Sequence, residues 1–108
     1  NGWDKTELIG HFHWGHTSTG EYASYGKTAI IEDAIDEFHI YSLVWTKQAL
    51  TFYVDDKPHH IVGNSCALPF NWNQFIILNV AMGGTMGGEI SPDFVSDTME
   101  IEYVRVYQ

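Results

Sequence analysis

Thr98-Met99-Glu100-Ile101-Glu102-Tyr103-Val104-Arg105-Val106-Tyr107-Gln108 alternates apolar and polar side chains up to the last residue. An alternation of period two is the mark of a β-strand with one buried face. An end this apolar would not fray freely, so the reading places it inside a sheet as the closing strand. The preceding chain repeats the theme. Gln74 to Met82 is the most apolar run and reads as a central strand. Phe38 to Thr46 and Ala49 to Val54 are further strands, and Asp55-Asp56-Lys57 is a tight turn into His59 to Val62. Pro58 confines that return strand to an edge or a strand start. Leu8 to Trp14 and Glu21 to Tyr25 are strands flanking a Gly15 to Gly20 loop. Thr28 to Glu37 has some helical composition but no sustained stripe, and Gly83 to Gly88 reads as a loop. Strands at this spacing indicate an all-β antiparallel sandwich or barrel.

The bulk numbers bound the function. At 108 residues the chain is one domain at most, and roughly two-thirds of its unfolded surface can be buried. Five Lys and Arg against fourteen Asp and Glu give a formal charge of −9, which repels phosphate backbones and makes nucleic acid a poor partner. Neutral ligands such as sugars are not excluded, and four Trp, six Tyr and six Phe supply flat binding faces. No apolar run approaches the roughly 20 residues of a membrane helix. Cys66 is the single cysteine, so no internal disulfide forms. Asn1 is preceded by neither Met nor a leader pattern, and the expectation is a processed or excised chain.

Parity sorts the faces. His11 and His13 point one way with Ile9; His39, Tyr41, Leu43 and Trp45 share a face; Phe75, Ile77, Asn79 and Ala81 share another. An Asn amid Ile77, Leu78 and Val80 is costly to bury unpaired, so it faces a wet cleft or has a dedicated partner.

Five segments, in order and spacing, resemble the second half of a glycoside hydrolase family 16 domain of the laminarinase-like kind. Gly10 to Gly15 is similar to the family's G-x-x-H-W/Y-G, and Phe38-His39-Ile40-Tyr41 through Trp45-Thr46 to its F-H-x-Y-x-x-x-W-T. Phe52-Tyr53-Val54-Asp55 resembles its W/F-Y-V-D hairpin. Leu68-Pro69-Phe70 through Leu78-Asn79-Val80-Ala81-Met82-Gly83-Gly84 resembles its P-F … L-N-x-A-x-G-G, and Tyr103 to Gln108 its last strand. The resemblance implies a concanavalin A-like β-jelly roll of two curved sheets with a sugar cleft on the concave one. Residues 1–108 are then the C-terminal part of one such domain, secreted or periplasmic, acting on β-glucan.

The family's catalytic motif, G-E-x-D-x-x-E, is absent from these residues. A retaining glycosidase needs a nucleophilic carboxylate and an acid/base carboxyl about 5–5.5 Å apart, one held protonated while the other stays ionised. Gly88-Glu89-Ile90 imitates the motif's start, but Ser91-Pro92 follows and Pro would break a central strand. Glu100 and Glu102 lie two apart, about 6.6–7 Å by strand rise, and the resemblance puts Glu102 on the convex side. No catalytic pair is expected here.

For binding, the resemblance implies that His13, with Trp14 behind it, lines the cleft, with His11 on the same face. Asn79 is matched to an Asn that bonds sugar hydroxyls, and Tyr41 to a cleft-facing aromatic. The bland readings are a His satisfied within the sheet, an Asn bonding a neighbouring loop, and a core Tyr. Trp45 reads as packing; Trp3 and Trp72 are loop indoles that can stack on sugars or cap a core. Ala81 stands where mixed-linkage enzymes carry Trp, which favours the laminarinase-like branch, and Met86 replaces another Trp. His11-x-His13 with His16 is alternatively a metal pattern, though the Glu a cupin would need nearby is replaced by Thr17 and Ser18. Glu102 is matched to an Asp that ligates a structural Ca²⁺, whose oxygen geometry tolerates the longer side chain.

Two classes of function result. One is the cleft wall of an endo-β-1,3-glucanase whose carboxylates come from upstream; the other is a β-glucan-binding module without the pair. Half a jelly roll leaves edges uncovered, so an upstream fragment or a second copy is the expected protein partner.

Overall fold

The computed structural model describes residues 4–15 and 19–108, and the readings at Trp3, His16, Thr17 and Ser18 lie outside them. Among the described residues five antiparallel strands are formed: β1 (Glu7–Gly15), β2 (Tyr22–Ile30), β3 (Tyr41–Trp45), β4 (Ala49–Val54) and β5 (Lys57–Gly63). β1 and β2 make one sheet, and β3-β4-β5 a second. The all-β sandwich expectation holds. The Thr28–Glu37 stretch is the end of β2 followed by turns rather than helix. A 3₁₀ turn (Pro69–Asn71) and a single helical turn, α1 (Gly84–Gly87), follow.

Why these residues pair as they do is visible at the β4–β5 turn. Asp55 and Asp56 have φ of 47° and 64°, the left-handed pair that a two-residue hairpin requires to match strand twist. Asp tolerates that region better than most side chains because its short carboxylate bonds locally. Pro58 follows at the start of β5, which is an edge strand, so its missing N–H costs no ladder bond. The register then slips: Phe52 opposes His60 while Tyr53 opposes Pro58, which makes His59 the extra residue of a bulge.

The two sheets meet through the even-numbered face of β1. Gly10 and Phe12 are buried, whereas His11 and His13 are exposed. Phe12 packs at ring-centroid distances of 5.0 Å from Phe52, 5.5 Å from His60 and 5.3 Å from Phe70. Leu50 and Val54 complete the buried apolar core. His60, 1% exposed, donates from Nδ1 to the Gly10 carbonyl at 3.0 Å. A carbonyl only accepts, so the ring carries its hydrogen on Nδ1.

The apolar segments 74–82 and 98–108 differ from expectation. Neither carries a strand, and no described residue ladders with them. Phe75, Ile77, Val80, Val104 and Val106 are all exposed. Alternation makes a segment competent to be a strand, but the ladder is a property of two segments, and none of the described ones lies alongside. Arg105 still stacks over the Tyr103 ring at 4.3 Å, the i, i+2 meeting that a pleated segment produces.

At Gly10 the two sheets approach closely. A Cβ there would meet Phe52 Cδ2 at 3.1 Å, His59 Cε1 at 3.3 Å and His60 Nδ1 at 3.4 Å. Three tight contacts from packed rings cannot all yield, so Gly10→Ala is expected to destabilise by about 1–3 kcal/mol. A thermal melt of the variant against the parent checks it; an unchanged midpoint would mean that the sheets separate freely.

Candidate functional site

The outward face of the β1–β2 sheet gathers the site. In the antiparallel register Ile9 opposes Thr28, His11 opposes Gly26, His13 opposes Ser24 and Gly15 opposes Tyr22. Paired residues share a face, so two histidines stand opposite a glycine and a serine, which leave space above β2. The His11 ring takes that space over Gly26: a Cβ on Gly26 would lie 2.7 Å from His11 Cγ and 2.8 Å from Cδ2. His11 stacks on His13 with centroids 4.1 Å apart and planes at 29°. Tyr22 meets His13 end-on, with centroids 5.8 Å apart and planes at 28°, and its hydroxyl is hydrogen-bonded to His13 Nδ1. The result is a row of three rings, His11–His13–Tyr22, on an exposed surface. Beside it, Ile9, His11, Gly26, Lys27 and Thr28 line an open depression of about 500 Å³.

The expected site residues divide. His11 and His13 are brought together. Trp14 is not: it lies on the opposite face of β1 and packs on Phe70 at 5.6 Å, because adjacent strand residues point to opposite sides. Tyr41 belongs to the other sheet, where it pairs with Val54 on the face that carries Leu50 and Val54. Burial first, then the charges of Asp55 and Asp33, push its hydroxyl above the ordinary tyrosine range. Asn79 is exposed in the unladdered segment, and no hydrogen bond among the described residues joins it to the ring row. Trp72 and Trp45 share a second open depression with Phe70 and Asn71. Its amides are already engaged, since Asn71 Nδ2 donates to the Ser65 carbonyl at 2.7 Å and accepts through Oδ1 from Asn64 at 3.1 Å.

Among the described residues no group of three or more His, Cys, Asp or Glu comes together to hold a metal. Glu102 is exposed and belongs to no such group. Glu89 and Glu100 are likewise exposed.

A family model, "Glycosyl hydrolases family 16", matches residues 2–105. The chain belongs to this family. It is 35% identical over 85 residues, 68% of its length, to glucan endo-1,3-beta-glucosidase A1 of Niallia circulans, and it covers 12% of that protein. The solved structure of LamAcat from Zobellia galactanivorans superposes with a TM-score of 0.82 at 42% identity, over 87% of this chain and 38% of that one. A LamA variant in complex with laminaritriose and laminaritetraose superposes with a TM-score of 0.81, again at 42% identity and over the same shares. The chain thus spans well under half the length of these relatives.

Tyr22 was not singled out from the sequence, because placing it beside His13 requires the β1–β2 register. His39, read only as a strand residue of the family 16 pattern, turns out to be a clamp. Its Nδ1–H donates to Asp55 Oδ2 at 2.7 Å, and its Nε2 lies 3.3 Å from both Oδ1 and the carbonyl oxygen of Asp33. Asp55 Oδ1 also accepts from the Ile40 N–H at 2.9 Å. Acceptors at both ring nitrogens favour imidazolium: the Asp55 hydrogen bond chiefly raises His39 above its ordinary 6.5. The same bond, with that from Ile40, lowers Asp55 below its ordinary 3.8.

The pH dependence follows from these directions. The His39 contribution is complete below 6.5 and is lost as pH rises through the raised value. The Asp55 contribution is complete above 3.8 and is lost as pH falls through the lowered value. The melting temperature, followed across pH, is expected to decline on the alkaline side of 6.5, and His39→Asn to remove that decline. An identical alkaline limb in the variant would assign it elsewhere.

Proposed function

We propose that this chain forms a sugar-binding wall of a β-1,3-glucanase cleft. The observation that carries the reading is the exposed His11–His13–Tyr22 row beside an open depression, in a chain of family 16. A neutral imidazole can donate one hydrogen bond to a glucan hydroxyl while its face packs on the apolar side of a pyranose. The rings hold one another through the His11–His13 stack and the Tyr22 hydrogen bond, so less freedom is lost when a chain of glucose units settles on them. Bound laminaritriose and laminaritetraose in the LamA complex support this ligand class.

In this reading the reaction is retaining hydrolysis, with a glycosyl-enzyme intermediate formed on one carboxylate and the leaving oxygen protonated by another. Both carboxylates come from outside residues 1–108. The share of these residues is orientation: they hold the substrate's glucose units so that the scissile bond meets the pair. The uncovered segments 74–82 and 98–108 then take their sheet neighbours from the upstream part of the same domain, and export from the cell accords with a polymeric substrate. The second reading is a β-glucan-binding module without catalysis, supported by 33% identity over 73 residues to the beta-1,3-glucan-binding protein of Penaeus monodon.

Titration of laminaritetraose into the chain, with a reducing-sugar assay on laminarin alongside, tests both. Binding without hydrolysis is expected, and His13→Ala should weaken it about five- to ten-fold, the loss of one hydrogen bond of about 1–1.5 kcal/mol. Equal affinity in parent and variant would remove His13 from the binding surface. Hydrolysis by the pure chain would mean a carboxylate pair within it, with Glu100 and Glu102 the first to replace.

A further inference from the structure

We propose that Tyr22 is the positioning residue for His13, fixing its ring and its tautomer so that Nε2–H is the edge offered to a sugar hydroxyl. The inference rests on the binding role of His13 proposed above.

Three observations carry it. The Tyr22 hydroxyl is hydrogen-bonded to His13 Nδ1. A phenol is a strong donor and a poor acceptor, and an unprotonated imidazole nitrogen is a strong acceptor, so the hydroxyl donates and Nδ1 accepts. In a neutral imidazole the other nitrogen then carries the hydrogen. Secondly, the ring is held at a face and at an edge. His11 stacks on one face with centroids 4.1 Å apart, and Tyr22 meets the Nδ1 edge end-on with centroids 5.8 Å apart, both rings within 30° of parallel. His11 cannot swing away into the sheet, since Gly26 lies directly beneath it. Thirdly, the connection is built by register. Tyr22 opposes Gly15, two residues along β1 from His13, so its side chain reaches diagonally across the pair to the ring.

Without the hydroxyl, His13 has no bond at Nδ1 to select a tautomer, and the hydrogen divides between the two nitrogens. Only the Nε2–H form donates outward. Tyr22 therefore acts on ligand binding through His13.

The test is Tyr22→Phe, which keeps the flanking ring and removes the hydroxyl alone. Nitrogen-15 spectra of the histidines should show one tautomer for His13 in the parent and a mixture in the variant. Laminaritetraose affinity should fall about five-fold, the loss of one neutral hydrogen bond. In a His13→Ala background the same change should have no further effect, which a general structural role for Tyr22 would not produce. An unchanged His13 tautomer in Tyr22→Phe overturns the proposal, with or without ligand. If instead the tautomer shifts but His13→Ala leaves affinity intact, the positioning stands and the binding role of His13 falls. Gly26→Ala serves as a second variant: by displacing His11 it removes one flank while the Tyr22 bond remains, so the tautomer should hold.

Discussion

The contact between β1 and the β4–β5 hairpin governs the rest of the molecule. Gly10 brings the backbones close enough for the buried His60 ring to donate to its carbonyl, and Phe12 fills the adjoining space against Phe52 and Phe70. Because strand side chains alternate, seating residues 10 and 12 inward forces 11 and 13 outward. A slip of one residue would bury two imidazoles and expose the phenylalanine. The ring row on the outer face is thus a by-product of packing on the inner one. The buried side has its own irregularity: the Nδ1 of His59 and the Nε2 of His60 find no partner among the described residues, and burial pushes the His59 ring below its ordinary value. The bulge brings both histidines against Gly10 and concentrates polarity between the sheets.

Much of this was legible in the sequence. The period-two pattern and the turn at Asp55-Asp56 located β1, β4 and β5 to within a residue or two, and the shared face of Ile9, His11 and His13 came from parity alone. Parity does not say which face packs inward, however, and the placement of Tyr41 and Trp14 turns on that point. Tyr41 shares a face with Leu43 and Trp45 as read, and it pairs with Val54 on the face that carries the buried Leu50 and Val54 while itself remaining exposed. Trp14 follows His13 in sequence and for that reason alone points away from it. Tyr22 and His39 were invisible for a different cause. Each matters through a residue distant in sequence, nine positions away for Tyr22 and sixteen for His39, and only the strand register and the hairpin position bring those partners together.

The two apolar segments show the limit of local pattern from the other side. Gln74 to Met82 and Thr98 to Gln108 have stronger strand signals than β2, yet β2 is laddered and they are not. β2 has β1 beside it, joined by a short connection, whereas the later segments face no laddering neighbour among the described residues. Strand propensity measures readiness to pair, and the pairing itself is supplied by topology.

The seat beneath His11 carries a consequence for how such a surface can drift. Space above β2 is shared property: Gly26 leaves it empty so that His11 can occupy it. Neither position is free to change by itself, for a side chain at 26 evicts the ring, and a smaller residue at 11 leaves a hole over bare backbone. The two are expected to mutate as a unit across relatives, with His11 surviving only where position 26 stays glycine. A lineage that trades the pair for a bulky residue at 26 and a small one at 11 would keep the sheet and lose one flank of the ring row.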